Sequence, residues 1–196
     1  MEASQLDALV DAARAGGHWA FERLWLELSP RVAGYLRGRG VTDADDVTSE
    51  VFLAAFQRIE GFDGDGSAFR SWLFTIAHHK AVDAARRRSR APDLQPYQPV
   101  HDLRTATSAE HEAVAAQEVD EVKALLATLS RDQAEVMLLR VLGDLSVAEV
   151  AEATGRSQGA VKQLQRRAVA QLQRRIEETQ GYPVPSGPST TIAPSR

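Results

Sequence analysis

Cysteine is absent from the 196-residue chain. This absence excludes disulfides, thiolate metal sites and a cysteine nucleophile. No apolar run approaches the roughly 20 residues that a membrane-spanning helix requires. The first ten residues, MEASQLDALV, lack the basic start and the apolar core of a signal peptide. We therefore expect a soluble, cytoplasmic chain without membrane insertion.

The sequence also lacks the patterns of strands and of catalytic sites. No alternating apolar pattern of useful length occurs, whereas apolar residues recur at helical spacing along most of the chain. The glycine-rich stretch Phe62–Ser67 has no Lys-Ser/Thr pair of a phosphate-binding loop, and no nucleophile lies beside a base. His79 and Asp83 are spaced as two metal ligands on one helix, but no third ligand is apparent. We expect an all-α protein that is not an enzyme and has no catalytic residues, metal or cofactor.

Charges of opposite sign are segregated along the chain, although the formal net charge is only -4. Acids cluster in 43–50 and 102–121, and arginines cluster in 86–90. The segment from Arg156 to Arg175 carries no acid. Separate patches of opposite sign indicate more than one charged partner. The alternative is that each patch is an ordinary solvated helix face.

Caps and helix breakers predict the helix boundaries before residue 90. Ser4 with Asp7 is predicted to cap the first helix, and Gly16-Gly17 to end it. Pro30 is predicted to begin a new helix. Thr42 with Asp45 is predicted to open another.

Two segments lack helical periodicity. Residues 92–115, rich in proline and polar residues, are predicted to form a flexible linker. Residues 179–196, rich in Pro, Ser and Thr, are predicted to be a disordered tail.

The stretch Leu145–Leu172 has the pattern of a helix-turn-helix. Ser146 with Glu149 forms a capping box, and Gly155 supplies the turn between two helices. The small Ala151 allows the helices to cross closely, and branched apolar residues occupy the positions expected to be buried. In such a motif the second helix enters the major groove of DNA. An ordinary helical hairpin with a basic exterior is the alternative.

Two further segments carry a family resemblance. Residues 43–56 (DADDVTSEVFLAAF) and 62–88 (FDGDGSAFRSWLFTIAHHKAVDAARRR) resemble region two of the sigma-70 family. Residues 116–178 resemble domain four of the same family. The chain is most similar to the small extracytoplasmic-function (ECF) sigma factors, which keep only these two domains. The resemblance implies two small helical domains, 1–91 and 116–178, joined by the linker.

The resemblance also implies partners and contact residues. The partners are the clamp helices and flap of core RNA polymerase, promoter DNA, and an anti-sigma factor. The implied polymerase contacts are Asp43, Asp46 and Glu50. The residues implied to recognise and melt the minus-ten element are Phe62, Asp63, Ser67, Phe69, His78, His79, Lys80, Asp83, Arg86 and Arg87. The residues implied to contact the minus-thirty-five element are Ser157, Gln158, Lys162, Gln163, Arg166 and Arg167.

Two other function classes remain open at this stage. A helix-turn-helix regulator would bind an operator without docking on polymerase, but the acidic helix and the aromatic loop disfavour it. A helical adaptor would not bind DNA at all, and the basic helix without acids disfavours that class.

Overall fold

The computed structural model describes residues 3–90 and 124–180. Every element in these two ranges is helical, as expected for an all-α chain. The predicted linker (92–115) lies outside the described residues, as do the predicted domain boundaries at residues 91 and 116. Residues 181–196 of the predicted tail (179–196) also lie outside them, whereas residues 179 and 180 still belong to the last helix.

The first half contains four α-helices and one short 3₁₀ helix. These are α1 (Ala3–Arg14), α2 (His18–Gly38), α3 (Ala44–Phe56), a 3₁₀ turn (Ile59–Gly61) and α4 (Gly66–Arg90). Each of the four α-helices contributes residues that are fully or almost fully buried, among them Val10, Leu24, Val51 and Leu73. These apolar stripes hold the half together by burying area away from water.

The second half contains three α-helices. They are α5 (Arg131–Val141), α6 (Val147–Thr154) and α7 (Gln158–Gln180), and residues 124–127 are helical ahead of them. Ser130 and Gln133 form a reciprocal capping box at the start of α5, as their spacing predicts.

The predicted boundary at Pro30 is wrong, because α2 continues through this residue. Proline lacks the N–H that would bond to the carbonyl four residues earlier, which normally interrupts a helix. Here that carbonyl belongs to Leu26, which is exposed to water. Leu24, Leu28 and Val32 form one buried stripe across the proline. Tertiary packing on this stripe outweighs the local preference for a break.

The predicted capping roles of Asp7 and Asp45 are also wrong. Asp7 lies within α1, and its Oδ1 accepts a hydrogen bond at 2.8 Å from the backbone N–H of Gly66, the first residue of α4. Asp45 pairs with Arg37 at 2.6 Å, and α3 begins after Asp43 without a side-chain cap. Asp7 therefore joins α1 to α4, and Asp45 joins α3 to α2.

Gly66 has no room for a side chain where α4 meets α1. A Cβ at this position would lie 2.5 Å from Leu6 Cγ and 2.9 Å from the backbone nitrogen of Asp7. We expect Gly66→Ala to lower the free energy of unfolding by about 1–3 kcal/mol, because overpacking displaces well-packed neighbours. Urea denaturation measures this change. Gly61→Ala is the matched control, since nothing lies within 4 Å of a Cβ there. Equal effects of the two substitutions would contradict this account of the α1–α4 contact.

The two halves share one continuous apolar core. Phe74 of α4 and Leu139 of α5 are both fully buried in it, as is Val150 of α6. At this contact α4 packs against α6, and the end of α2 packs against α5. The helix-turn-helix therefore rests on the helix that carries the predicted promoter-melting residues.

Candidate nucleic-acid interface

The helix-turn-helix has the geometry that its sequence predicts. Ser146 and Glu149 form both hydrogen bonds of a capping box at the start of α6. Gly155 ends α6 in the left-handed conformation, with φ of 65°, which glycine adopts without a steric penalty. Val150 and Val161 are fully buried between the two helices. Local signals therefore fix the angle at which α7 leaves the turn.

The N-terminal half of α7 presents a basic surface to solvent. Ser157 Oγ accepts a hydrogen bond from the Ala160 N–H at 3.2 Å and so caps the helix. The predicted DNA-contacting residues in this part of the chain are all exposed: Ser157, Gln158, Lys162, Gln163, Arg166 and Arg167. An exposed helix N-terminus with lysine, glutamine and arginine suits contacts to phosphates and base edges.

Arg156 occupies a position in the turn that is often apolar in this motif. Its guanidinium contacts Asp132 at 2.9 Å and Glu135 at 3.2 Å, both on α5. The arginine therefore braces the helix-turn-helix against α5. Its pairing with two carboxylates distinguishes it from the exposed cations of α7.

The loop before α4 contains an aromatic stack. Phe62 stacks on Trp72 with ring centres 5.1 Å apart, and Phe69 meets Phe62 edge-on at 5.7 Å. Phe69 is fully buried, so the prediction that it contacts promoter DNA is not supported. Asp65 Oδ1 accepts a hydrogen bond at 2.8 Å from Ala68 N–H and caps α4. The exposed polar residues of this loop are Asp63, Asp65 and Ser67.

Along α4, the predicted promoter-contacting residues divide into exposed and buried sets. His79, Asp83, Arg86 and Arg87 are exposed. His78 is buried, and its Nδ1 lies 3.2 Å from Tyr35 Oη. Burial lowers the pKa of His78, while the nearby Glu135 partly opposes this effect. In this arrangement of the two halves, His78 cannot reach DNA.

The acidic block lies on the exposed side of α3. Asp46 and Glu50 are one turn apart, and Asp43 precedes the helix; all three are exposed. Lys80 of α4 donates a hydrogen bond to Glu50 at 2.7 Å and lowers the pKa of that carboxyl. The predicted polymerase surface and the predicted promoter surface therefore meet at this ion pair.

Leu53 extends the same face of α3 and was not among the residues predicted from the sequence. It follows Glu50 by three positions, so the two side chains are neighbours on the helix. Leu53 is 59% exposed, whereas the neighbouring Phe52 is buried. The sequence does not distinguish Leu53 from the core-forming residues of α3, because tertiary packing decides whether a single leucine is exposed.

No group of three or more His, Asp or Glu side chains in 3–90 and 124–180 is placed to hold a metal ion. None of the described helices is long and apolar enough to cross a membrane.

Each half of the chain matches the model of a known protein family. Residues 24–91 match the model of sigma-70 region 2, and residues 120–172 match a model of sigma-70 region 4. The chain is 33% identical over 189 residues to the ECF RNA polymerase sigma factor SigD of Mycobacterium tuberculosis, covering 93% of this chain and 89% of SigD. The chain belongs to the ECF sigma factors of RNA polymerase.

Two further relatives agree with this assignment. The ECF sigma factor BldN of Streptomyces coelicolor is 32% identical over 179 residues, covering 90% of this chain and 68% of BldN. A solved structure of CnrH in complex with the cytosolic domain of CnrY matches with a TM-score of 0.61 and 28% identity. That match covers 88% of this chain and 98% of CnrH.

Membership in this family assigns the general role of the protein. An ECF sigma factor binds core RNA polymerase and directs initiation at specific promoters, so the role of an operator-binding regulator is excluded. The sigma factors are not a class of enzymes. The helix-turn-helix and the acidic face of α3 are accordingly the candidate surfaces for contacts with promoter DNA and with core polymerase.

Proposed function

We propose that this sigma factor divides its work between two separate surfaces. The basic half of α7 contacts the minus-thirty-five element, and the acidic face of α3 docks on core polymerase. The observation that carries this division is the segregation of charge between exposed helix faces. Lys162, Gln163 and Arg166 are exposed on α7, and Asp46 and Glu50 are exposed on α3. The chain itself supplies no catalysis and acts by positioning polymerase on DNA.

The exposed half of α7 fits the major groove. A helix entering this groove places its first two turns beside base edges and phosphates. Gln163 has an amide that matches the hydrogen-bonding edge of adenine, whereas Lys162 and Arg167 suit phosphates. The capped start of the helix leaves these side chains accessible.

The acidic face of α3 fits a basic helical surface. Charge complementarity raises the rate of association and fixes orientation, while a central apolar residue adds affinity through burial. Leu53 supplies such an apolar residue beside Asp46 and Glu50. The clamp helices of polymerase are the partner proposed for this face, and the flap is the partner proposed for the second half.

A protein partner that holds the factor inactive is also proposed. The matched CnrH structure contains the cytosolic domain of CnrY. We propose an anti-sigma factor for this chain on that likeness. We also propose a cytoplasmic location, because the proposed partners polymerase and promoter DNA are found there.

The loop before α4 is proposed to help open the minus-ten element. Asp63 and Ser67 are exposed beside the Phe62–Trp72 stack. An aromatic platform with polar edges suits an unstacked base. The base stacks on the aromatic rings, and a carboxylate accepts a hydrogen bond from the exocyclic amine of the base. Asp65 has the separate role of capping α4.

Joint replacement of Asp63 and Ser67 by alanine tests this role of the loop. We expect open-complex formation to fall by about tenfold, because one base contact corresponds to about 1–3 kcal/mol. Polymerase binding should be retained, and a template with a pre-melted minus-ten bubble should partly restore initiation. Permanganate footprinting of unpaired thymines measures the opening. Glu60→Ala, an exposed acid just before the loop, is the control. Footprints like those of the unchanged chain would show that the loop does not take part in opening the minus-ten element.

Association with core polymerase tests the proposed function as a whole. The purified chain should elute with core polymerase in gel filtration as a one-to-one complex. A factor without the docking surface would elute separately from core even at high concentration, and that result would overturn the proposal.

A further inference from the structure

A cavity of about 360 Å³ lies where the end of the first half meets the start of α5. Its walls are the end of α2 with Arg39, the last turns of α4 and the first turn of α5. The volume is at the lower end of the range that is typical of small-molecule sites. Among the described residues, none of those proposed to contact promoter DNA or core polymerase lines this cavity. The cavity is therefore distinct from the surfaces described above.

Every charged side chain that lines the cavity is an arginine. Arg39 follows α2, Arg88 lies near the end of α4, and Arg131 is the first residue of α5. The other described residues of the wall are glycine, alanine and serine, and none of them is acidic. The cavity therefore combines positive charge with small side chains that leave space for a ligand.

Two of the three arginines are held in place by hydrogen bonds within the chain. Arg39 pairs with the buried Glu135 at 2.6 Å and donates to the carbonyl of Arg131 at 3.3 Å. Arg88 donates to the carbonyl of Gly40. A guanidinium has five N–H donors, so this single bond leaves Arg88 with donors for a ligand. Because these side chains are already ordered, less conformational entropy is lost when a ligand binds.

The positive charge of the cavity is only partly balanced by acids. Glu135 balances the charge of Arg39. Neither Arg88 nor Arg131 has a carboxylate partner in ranges 3–90 and 124–180. Positive charges gathered around one cavity repel each other, and an anion placed between them replaces this repulsion with attraction. The charge balance therefore favours an anionic ligand.

Helix stability explains two of the arginines but not the third. Arg39 and Arg88 lie at the C-terminal ends of α2 and α4, where the helix dipole favours a cation. Arg131 lies in the first turn of α5, where the dipole disfavours a cation. Its guanidinium has no ion-pair or hydrogen-bond partner in the part of the chain that the structure describes. A role in ligand binding accounts for a cation at this unfavourable position.

We propose that this cavity binds the phosphate groups of a small molecule of nucleotide size. Arginine suits phosphate especially well, because its planar guanidinium donates two parallel hydrogen bonds to two phosphate oxygens. Adjacent phosphates of a nucleoside diphosphate or triphosphate match Arg88 and Arg131, the two arginines without a carboxylate partner. The small residues of the wall leave space for the rest of the molecule. The proposal does not rest on the proposed function, since neither promoter DNA nor polymerase is needed for this binding.

Thermal unfolding of the full chain gives the first test of binding. The ligand contacts residues from both halves of the folded chain, and unfolding separates these residues. A ligand that binds only the folded state stabilises it by mass action. We expect ATP, added without metal ions, to raise the Tm by about 5 °C at roughly 100 times its Kd. Inorganic pyrophosphate should also raise the Tm, whereas adenosine, which has no phosphate, should leave it unchanged.

Isothermal titration calorimetry with ATP tests whether the arginines of the cavity form the site. Arg131→Gln should weaken ATP binding by about tenfold or more, because it removes hydrogen bonds between charged groups. Arg88→Gln should cause a similar loss, and Arg131→Lys, which keeps the charge, should retain part of the affinity. Arg58→Gln is the matched control and should bind ATP like the unchanged chain. Arg58 is exposed and precedes the start of α4, whereas the cavity lies at the end of α4.

A short DNA duplex distinguishes a free nucleotide from a nucleic-acid backbone as the source of the phosphate. We expect the duplex to leave ATP bound at the cavity. Binding of the duplex that depends on Arg131, without any binding of ATP, would overturn the proposal of a small-molecule site. Equal binding of adenosine and ATP would also overturn it, as would equal affinity for ATP in the unchanged chain and in folded Arg131→Gln and Arg88→Gln variants. Circular dichroism confirms the fold of each variant before titration.

Discussion

Replacing Asp46 and Glu50 by lysine is expected to weaken binding to core polymerase by roughly 100-fold. Both carboxylates are exposed on the face of α3 proposed to meet basic clamp helices. Reversal converts attraction into repulsion, and like charges facing each other at an interface cost several kcal/mol. Fluorescence anisotropy of labelled chain titrated with core polymerase measures the change. The effect should shrink as salt rises, because these charges are exposed and screened.

The pair between Glu50 and Lys80 requires a second variant. Lysine at position 50 would face Lys80, whose amine now lies 2.7 Å from the Glu50 carboxylate, so the double reversal also strains the α3–α4 contact. Asp46→Lys alone avoids this clash and should still weaken binding by about tenfold. Glu22→Lys, an exposed reversal on α2, is the matched control and should bind like the unchanged chain. Full affinity in a folded Asp46→Lys variant would exclude this docking face.

Substitutions in the first turns of α7 are expected to alter promoter choice. Gln163→Ala should change preference at one or two upstream base pairs, at about 1–3 kcal/mol for a lost base contact. Lys162→Ala should weaken binding to all sequences alike and reduce the salt dependence by about one charge. The difference arises because a base edge carries sequence information and a phosphate does not.

Holoenzyme binding to a randomised upstream element measures both effects together. Arg174→Ala, an exposed cation further along α7, is the control and should leave sequence preference unchanged. Promoter activity like that of the unchanged chain in both the Lys162 and the Gln163 variants would show that α7 is not the recognition helix.

The helix-turn-helix was predictable because its signals are local. The capping boxes at Ser130 and Ser146 and the left-handed turn at Gly155 each depend on residues within one or two helical turns. Such signals act on the backbone directly, so sequence spacing is enough to place them.

The errors lie where distant parts of the chain decide the outcome. Pro30 stays inside α2 because a buried stripe continues across it. Asp7 bonds to Gly66 rather than to its own helix end. Distant neighbours also bury Phe69, whose contact with promoter DNA stays an untested prediction. Spacing along the sequence contains no information on these choices.

The contact between the two halves was not predictable from the sequence either. Arg39, His78 and Glu135 are far apart in the sequence and belong to no shared motif. The expectation from the sequence was two domains joined by a flexible linker. That expectation did not include any contact between the two halves, which a buried cluster around Glu135 joins among the described residues.

Mapping transcripts started by the purified chain with core polymerase tests the central claim most directly. Fragmented genomic DNA from the source bacterium serves as template, and core polymerase alone is the reference. The account predicts a set of start sites that appears only with the chain, each preceded by two shared sequence elements at constant spacing. With Gln163→Ala, the base preference at one or two positions of the upstream element should change. Start sites identical to those of core polymerase alone would contradict the account.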